Sequence, residues 1–151
     1  MKRFVLLAVL CCVVASPAAA GDAAISAMYS PDRLGPSNPL YLSFSGSWDR
    51  GEDRVAVLDA GMNYQSEFDV STYWLGGYGL RFMDRVGAAF SLGGFTTSRG
   101  GSLVAGPNIR IDVIGPLSLR YIGLQPVARQ AGSQIRDFTH LFGLQVSTLK
   151  F

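Results

Sequence analysis

Past residue 20 the sequence contains no cysteine, one lysine and only two glutamates, and these scarcities exclude several classes of protein. Both cysteines, Cys11 and Cys12, lie in the first twenty residues. The rest of the chain therefore holds no disulfide and no thiolate site for zinc or an iron–sulfur cluster. One histidine, His140, makes no cluster of ligands, so we expect neither a metal nor another cofactor.

The first twenty residues have the organisation of a secretory signal peptide. Lys2 and Arg3 form a basic start, residues 4–15 are an uninterrupted apolar run, and residues 18–20 are alanines. A basic start, a short apolar segment and a small-residue cleavage site are typical of a cleaved leader. The apolar run is shorter than the roughly 20 residues that a spanning helix needs. The sequence predicts a signal peptide over 1–20 and one β-barrel domain over 21–151.

Without Lys2 and Arg3 the remaining chain carries 11 basic and 11 acidic side chains. A net charge near zero argues against nucleic acid as a partner, because binding to phosphates needs a basic surface. Nine of these 22 charges lie in short clusters that read as turns, at 32–33, 49–54 and 84–85. The segments between the turns carry only isolated charges.

Apolar and polar residues alternate with period two along most of the chain, and no stretch has a helical period. The alternating segments are about 9–12 residues long in most cases, which suits a tilted strand that crosses a bilayer. Short links between them predict antiparallel hairpins. Seven strands are expected at about 40–48, 55–64, 71–82, 88–95, 103–113, 117–122 and 136–151, and a weaker eighth at 23–30.

The composition of the polar face favours a membrane barrel over a soluble sheet. A face that meets water is expected to be rich in lysine and glutamate. Here it consists mainly of glycine, serine and asparagine, and all 18 glycines lie past residue 20. Small residues suit the cramped interior of a narrow closed barrel, and the apolar face then points to lipid. The sequence predicts an all-β fold, an antiparallel up-and-down transmembrane β-barrel of eight strands.

Five charged residues fall on the face that would line the lumen. Each needs a partner there, because an unpaired charge away from water costs several kcal/mol. We interpret them as a network that plugs the lumen, with Asp112 and Arg120 as a cross-strand pair; the alternative is a polar pore. The five residues are Asp59, Arg81, Arg110, Asp112 and Arg120.

Aromatic residues on the opposite, apolar face lie near strand ends. Trp48, Phe82 and Phe151 fall at one set of ends, whereas Tyr64 and Trp74 fall at the other. Two such groups are typical of the aromatic girdles of transmembrane proteins.

Short turns and longer loops separate to opposite ends of the predicted barrel. The turns at 49–54, 83–86 and 114–116 lie on the side of the chain termini. Segments 31–39 and 125–136 lie on the other side and form the longer loops. Short periplasmic turns with longer external loops are the bacterial pattern.

With this architecture, the sequence resembles the small bacterial outer-membrane barrels of the OmpA/OmpX-like eight-stranded class. Barrels of this class typically end in a strand with outward apolar residues and a terminal aromatic, as Leu141, Leu149 and Phe151 do here. Simple alternation then places Gln145 and Ser147 in lipid. A bulge near residues 147–148 instead returns Phe142, Leu144 and Val146 to the outer face.

The resemblance implies export to the outer membrane, contact with its lipid and lipopolysaccharide, and recognition of the last strand by the assembly machinery. Three functions follow from these observations. The first is a structural or surface-interaction protein with a filled lumen. The second is a lipid A-modifying enzyme that acts on acyl chains. The third is a soluble periplasmic ligand-binding barrel, in which the apolar face would point inward.

His140 is the one candidate catalytic residue for the enzymatic alternative. Simple alternation places it inside the barrel, and the bulge near residues 147–148 would reverse this. A serine nucleophile needs a nearby base, yet the residue two positions after His140 is Phe142, not serine. Residues Ser43, Ser45 and Ser47 could approach it only across the lumen. We therefore expect His140 to be a hydrogen-bonded interior residue, and catalysis to be the weaker hypothesis.

Overall fold

The computed structural model describes residues 21–31, 40–50, 53–65, 69–97, 99–133, 135 and 137–150. Eight strands account for nearly all of them. They are β1 (Gly21–Tyr29), β2 (Leu40–Asp49), β3 (Arg54–Gln65), β4 (Asp69–Phe82), β5 (Val86–Thr97), β6 (Gly100–Ile114), β7 (Leu117–Arg129) and β8 (Thr139–Lys150).

The strands form a closed barrel in which each strand pairs with its neighbour in sequence and β8 pairs with β1. Every pairing is antiparallel, so the predicted up-and-down barrel is confirmed. The weak segment at 23–30 is a full strand, β1, and it supplies the eighth member. Closure leaves no free sheet edge, which is what a sheet surrounded by lipid requires.

The two ends of the barrel differ in their connections. At the terminal end, where β1 begins and β8 ends, the turns at 50–53, 83–85 and 115–116 are short. Met83 and Asp84 take left-handed φ values of 52° and 56° in one of them, as tight hairpin turns demand. The other end, which we call the loop end, carries the two longest connections, at 30–39 and 130–138, and two short ones, at 66–68 and 98–99.

The last loop is shorter than the predicted 125–136. Pairing between β6 and β7 continues to Ser102↔Arg129, so residues 125–129 are strand rather than loop. The polar and charged side chains at Gln125 and Arg129 suggested a loop. However, the β6–β7 hairpin extends past Thr139, the first residue of β8, and both side chains are exposed on this extension. In the same described ranges, no helix is long and apolar enough to cross a membrane.

Apolar side chains point outward and small polar ones point inward, as predicted. Ser43, Asn63 and Ser91 are buried on the inner side. The soluble alternative required the opposite arrangement, with the apolar face inside. Among the large exposed side chains of the outer face are Phe44, Met62, Trp74, Leu92, Leu144 and Val146.

A bulge in β8 decides which face its residues take. Ala23 pairs with Leu149 but the next residue, Ala24, pairs with Ser147, so Thr148 is the extra residue. Phe142 therefore points outward, at 48% exposure, whereas Leu141 is fully buried. Simple alternation was wrong for this strand, and the bulge predicted near residues 147–148 is confirmed.

Glycines let β4 and β5 approach very closely. A Cβ at Gly79 would lie 1.9 Å from the Ala88 carbonyl oxygen, and one at Gly93 would lie 1.8 Å from that of Trp74. Any larger residue would collide with backbone at either position, so the two strands can coil this tightly only with glycine there.

Leu92→Arg tests the orientation of the sheet, because Leu92 lies midway along β5 on the outer face. We expect a loss of about 2–4 kcal/mol in folding free energy in phospholipid vesicles, the cost of arginine near the bilayer midplane. A urea titration measures this loss, with the folded fraction taken from the gel band that migrates differently when the sample is not boiled. Met83→Arg is the control, because Met83 lies in a turn and is 93% exposed. Equal losses for both variants would contradict the lipid-facing assignment.

Candidate functional site

The interior of the barrel holds a charged network at its terminal end. Arg110 is at its centre and contacts Asp22 and, through Nε at 2.7 Å, the Oδ1 atom of Asp112. The carboxylate of Asp22 also accepts hydrogen bonds from Ser47 and, at 3.1 Å, from Ser147. Each charge thus has partners of opposite sign or a hydroxyl donor, which offsets its removal from bulk water.

A second ion pair lies deeper in the lumen. Arg120 Nη2 is 2.5 Å from Asp59 Oδ2, and the two side chains are 3% and 0% exposed. The guanidinium also donates to Gln145 Oε1 at 2.8 Å and to Asn108 Oδ1 at 3.1 Å. This cluster joins strands on opposite sides of the sheet order, β3 with β6, β7 and β8, and fills the middle of the interior.

The pairing differs from the one expected from the sequence. Asp112 contacts Arg110 and the Ser118 hydroxyl, at 2.7 Å, rather than Arg120. Arg81 lies near the terminal end and pairs with Asp49 at 3.2 Å, where both side chains are about a third exposed or more. The strand register aligns Arg110 with Arg120 across β6 and β7, so each turns to a carboxylate elsewhere.

Three residues of the network were missed in the sequence. Asp22 lies next to the predicted cleavage site, in the segment with the weakest alternation, and only its register with Ser47 on β2 shows that it points inward. Gln145 and Ser147 were assigned to the lipid face by simple alternation. The bulge at Thr148 turns both inward, where Gln145 is 1% exposed and Ser147 bonds to Arg110 and Asp22.

The half of the interior nearer the loop end holds an apolar cluster, with small polar side chains such as Asn63 and Ser71 buried beside it. Ile135, from the loop 130–138, is fully buried within this cluster. Tyr73 crosses the lumen beside Gly61, where a Cβ would lie 2.3 Å from the tyrosine Cε1. The cluster consists of Met28, Tyr41, Tyr73, Leu75, Phe95, Val104, Ile122, Leu124, Ile135 and Leu141.

Little space is left between these groups. A cavity of about 30 Å³ lies on the terminal side of Arg120 and Asn108, lined also by Arg110 and Asp112. A volume of this size holds one or two water molecules and no organic ligand.

His140 lies on the outer face of β8, not in the lumen, because the bulge reverses the simple alternation. Its Nδ1 atom is 3.0 Å from the Tyr121 hydroxyl. Its ring meets Phe138 edge-on, with centroids 4.9 Å apart, and stacks on Phe142 at 6.1 Å. Tyr121, Phe138, His140 and Phe142 form what we call the aromatic cluster, towards the loop end of the barrel.

This position separates His140 from the candidate serines. Ser43 is buried inside the barrel and Ser45 and Ser47 line its interior cavity, so the wall of the barrel lies between them and His140. No serine–histidine pair of the hydrolase type forms between these residues. Among the residues that the structure describes, no three histidine, cysteine or acidic side chains are grouped to hold a metal ion.

The predicted girdle residues have different environments. Trp74 and Phe82 are exposed on the outer face, at 57% and 48%. The register places Trp48 on that face too, with its ring over Gly46, but only 5% of it is exposed. Tyr64 belongs to β3, but its side chain lies outside the described part of the structure, as does Phe151. The two-girdle arrangement stays a prediction.

No protein-family profile and no curated protein matches the chain. A designed transmembrane β-barrel superposes with a TM-score of 0.52 at 12% identity, over 88% of this chain and 98% of the designed one. Ail, the attachment invasion locus protein of Yersinia pestis, gives 0.49 at 12% identity, over 88% and 96% of the two chains. Neisserial surface protein A gives 0.43 at 17% identity, over 86% and 96%. At these identities the likeness is one of fold.

The chain is a closed, eight-stranded, antiparallel up-and-down β-barrel, which is the fold of transmembrane β-barrels.

Removal of one partner of the deep ion pair should destabilise the barrel strongly. Arg120→Met leaves Asp59 buried without its cation, and we expect a loss of about 3–5 kcal/mol in unfolding free energy. The double variant Asp59→Leu/Arg120→Met should recover part of this loss, because no charge is then buried. It should not recover all, since Gln145 and Asn108 still lack their donor.

Urea unfolding in detergent micelles gives the unfolding free energies of the unmodified protein, of Arg120→Met and of the double variant. Arg81→Met is the matched control, because it breaks a half-exposed pair that should contribute at most about 1 kcal/mol. A double variant no more stable than Arg120→Met would show that the charge pair is not the source of the effect.

Proposed function

We propose that the chain is an integral protein of the bacterial outer membrane, exported through a leader cleaved after residue 20. We propose for it a structural or surface-interaction role, with a lumen closed by side chains. The observation that carries this proposal is the contrast between the two faces of one sheet. Large apolar side chains cover the outside, while the inside is filled by paired charges and an apolar cluster.

The outer-membrane location is supported by the strand architecture. Closed barrels are, with helices, the only structures that satisfy all backbone hydrogen bonds in lipid, and in bacteria such even-stranded barrels occupy the outer membrane. The short turns at the terminal end and the longer segments at the loop end fit a periplasmic and an external side.

The closed lumen is supported by the size of the barrel and by what fills it. Eight strands leave an interior just wide enough for side chains. Here Arg120 and Asp59 cross the middle, and the apolar cluster occupies the half nearer the loop end. A hydrated ion would have to displace both. We therefore favour a filled lumen over a pore.

The proposed partners follow from the same surfaces. Outer-membrane lipid and lipopolysaccharide would meet the apolar outer face and the segments at the loop end. The assembly machinery would read β8, whose outward residues Phe142, Leu144 and Val146 precede the terminal Phe151. The lipid A-modifying alternative has less support, because His140 is separated from the interior serines by the barrel wall.

Fractionation of membranes, together with gel migration before and after boiling, tests the location. We expect the mature chain in the outer-membrane fraction, with an unboiled band that migrates differently from the boiled one. A soluble periplasmic band without a heat shift would overturn the proposal.

The closed lumen predicts that the refolded protein conducts no ions. In planar bilayers we expect no stepwise conductance, because the deep ion pair and the apolar cluster occupy the path. The heat-shifted band of the same preparation is the control for folding. Discrete conductance steps that scale with the amount of folded protein would establish a pore instead.

A further inference from the structure

The outer surface of the barrel carries an open groove. The groove has a volume of about 500 Å³, runs over β1, β8, β7 and β6, and reaches Leu40 at the start of β2. This is within the range of about 300–1,000 Å³ that small-molecule sites occupy. Its lining is almost wholly apolar, with Tyr29, Leu119, Phe142 and Leu144 among its walls.

The strand register explains the shape of the groove. One row of outward residues crosses the sheet as Leu42, Ala27, Leu144 and Leu119. Ala27 is the small member of this row, and the large side chains on either side stand above it. The adjacent row, nearer the loop end, places Tyr29 beside Phe142 and Phe142 beside Tyr121. Ala27 thus leaves a depression. The rings of Tyr29 and Phe142 bound it towards the loop end, and Leu42 and Leu144 flank it on the neighbouring strands.

The end of the groove nearest the loops meets the aromatic cluster. Tyr121 and Phe142 line the groove and also belong to that cluster, where the Tyr121 hydroxyl is 3.0 Å from His140 Nδ1. Tyrosine rings with a polar tip are typical of the level where acyl chains meet headgroups. The groove therefore has an apolar body and one polar end, the polarity of a lipid molecule.

We propose that this groove binds one acyl chain of a bilayer lipid, whose headgroup lies at the aromatic cluster. The proposal rests on the membrane location proposed above, since the groove is continuous with the lipid-facing surface and acyl chains are its natural neighbours. The hydrophobic effect gives no preference within the bilayer, so the preference comes from the close packing of a chain over Ala27.

Filling the groove should remove the bound chain without disturbing the fold. Ala27→Leu adds a side chain where the structure has outward space, because Ala27 is exposed. Ala60→Leu is the matched control: Ala60 also lies on the outer face, between Phe44 and Trp74, and takes no part in the groove.

The experiment uses the mature protein folded in vesicles of phosphatidylethanolamine and phosphatidylglycerol that contain a phospholipid with a photoreactive acyl chain. After illumination, labelled peptides are mapped. We expect labelling of β1 and β8 around Ala27 to exceed that around Ala60 by about threefold, a modest excess because packing alone supplies it. Ala27→Leu should remove the excess, and Ala60→Leu should keep it.

Uniform labelling around the barrel, or an excess that Ala27→Leu leaves unchanged, would overturn the groove as a lipid site. A covalent dimer through β1 and β8 would show that a second copy occupies it instead, and would overturn it too. The heat-shifted gel band of the same samples separates the two proposals. If the unmodified protein shows no shift, the membrane location has failed; if it shows the shift with uniform labelling, only the groove proposal has failed.

Discussion

Closure of the sheet is the constraint on which the rest of this structure depends. Lipid offers no hydrogen bonds, so β8 must return to β1 and every strand must find a partner on both sides. Eight strands close into a cylinder whose interior barely holds its own side chains. The abundance of glycine and serine follows from that narrow interior. So does the close backbone contact at Gly79 and Gly93, where a Cβ has no room.

The narrow lumen also determines how charges are tolerated in it. Where burial removes a charged side chain from bulk water, the ion must find its solvation among protein groups. Arg110 and Arg120 do so in two separate ways, one through two carboxylates near the terminal end and one through a carboxylate and two amide oxygens at mid-depth. Towards the loop end the described interior holds an apolar cluster and small polar side chains in place of ion pairs, so the polarity of the lumen changes along its axis. The outer surface is more uniform, with the aromatic cluster and the groove as its local exceptions.

The sequence predicts most of the architecture but less of the site. Period-two alternation and the scarcity of lysine and glutamate predict the barrel and the direction of its faces. This is possible because the alternation within a single strand already indicates which of its residues face outward. The site depends on distances across the barrel, and these depend on register. The partner of Arg120 is Asp59, which is 61 residues earlier in the chain on a non-adjacent strand, so no local pattern could identify it. One extra residue, Thr148, changed the face of His140, Leu141 and Gln145 together, because a shift of one position reverses every side chain of a strand.

The contacts of Asp22 have a consequence for the order of events during biogenesis. This residue begins the first strand, yet it bonds to Ser147 near the end of the last one, 125 positions away, and to Arg110, 88 positions away. The intervening hairpins can form from neighbours alone, whereas this junction needs the whole polypeptide delivered. Until β8 reaches β1, each of these two strands has one unpaired edge, and the Asp22 carboxylate lacks the Ser147 donor. Closure of the sheet therefore also completes the hydrogen bonds of Asp22, whereas the pairs Asp59–Arg120 and Asp49–Arg81 do not depend on the junction between β1 and β8.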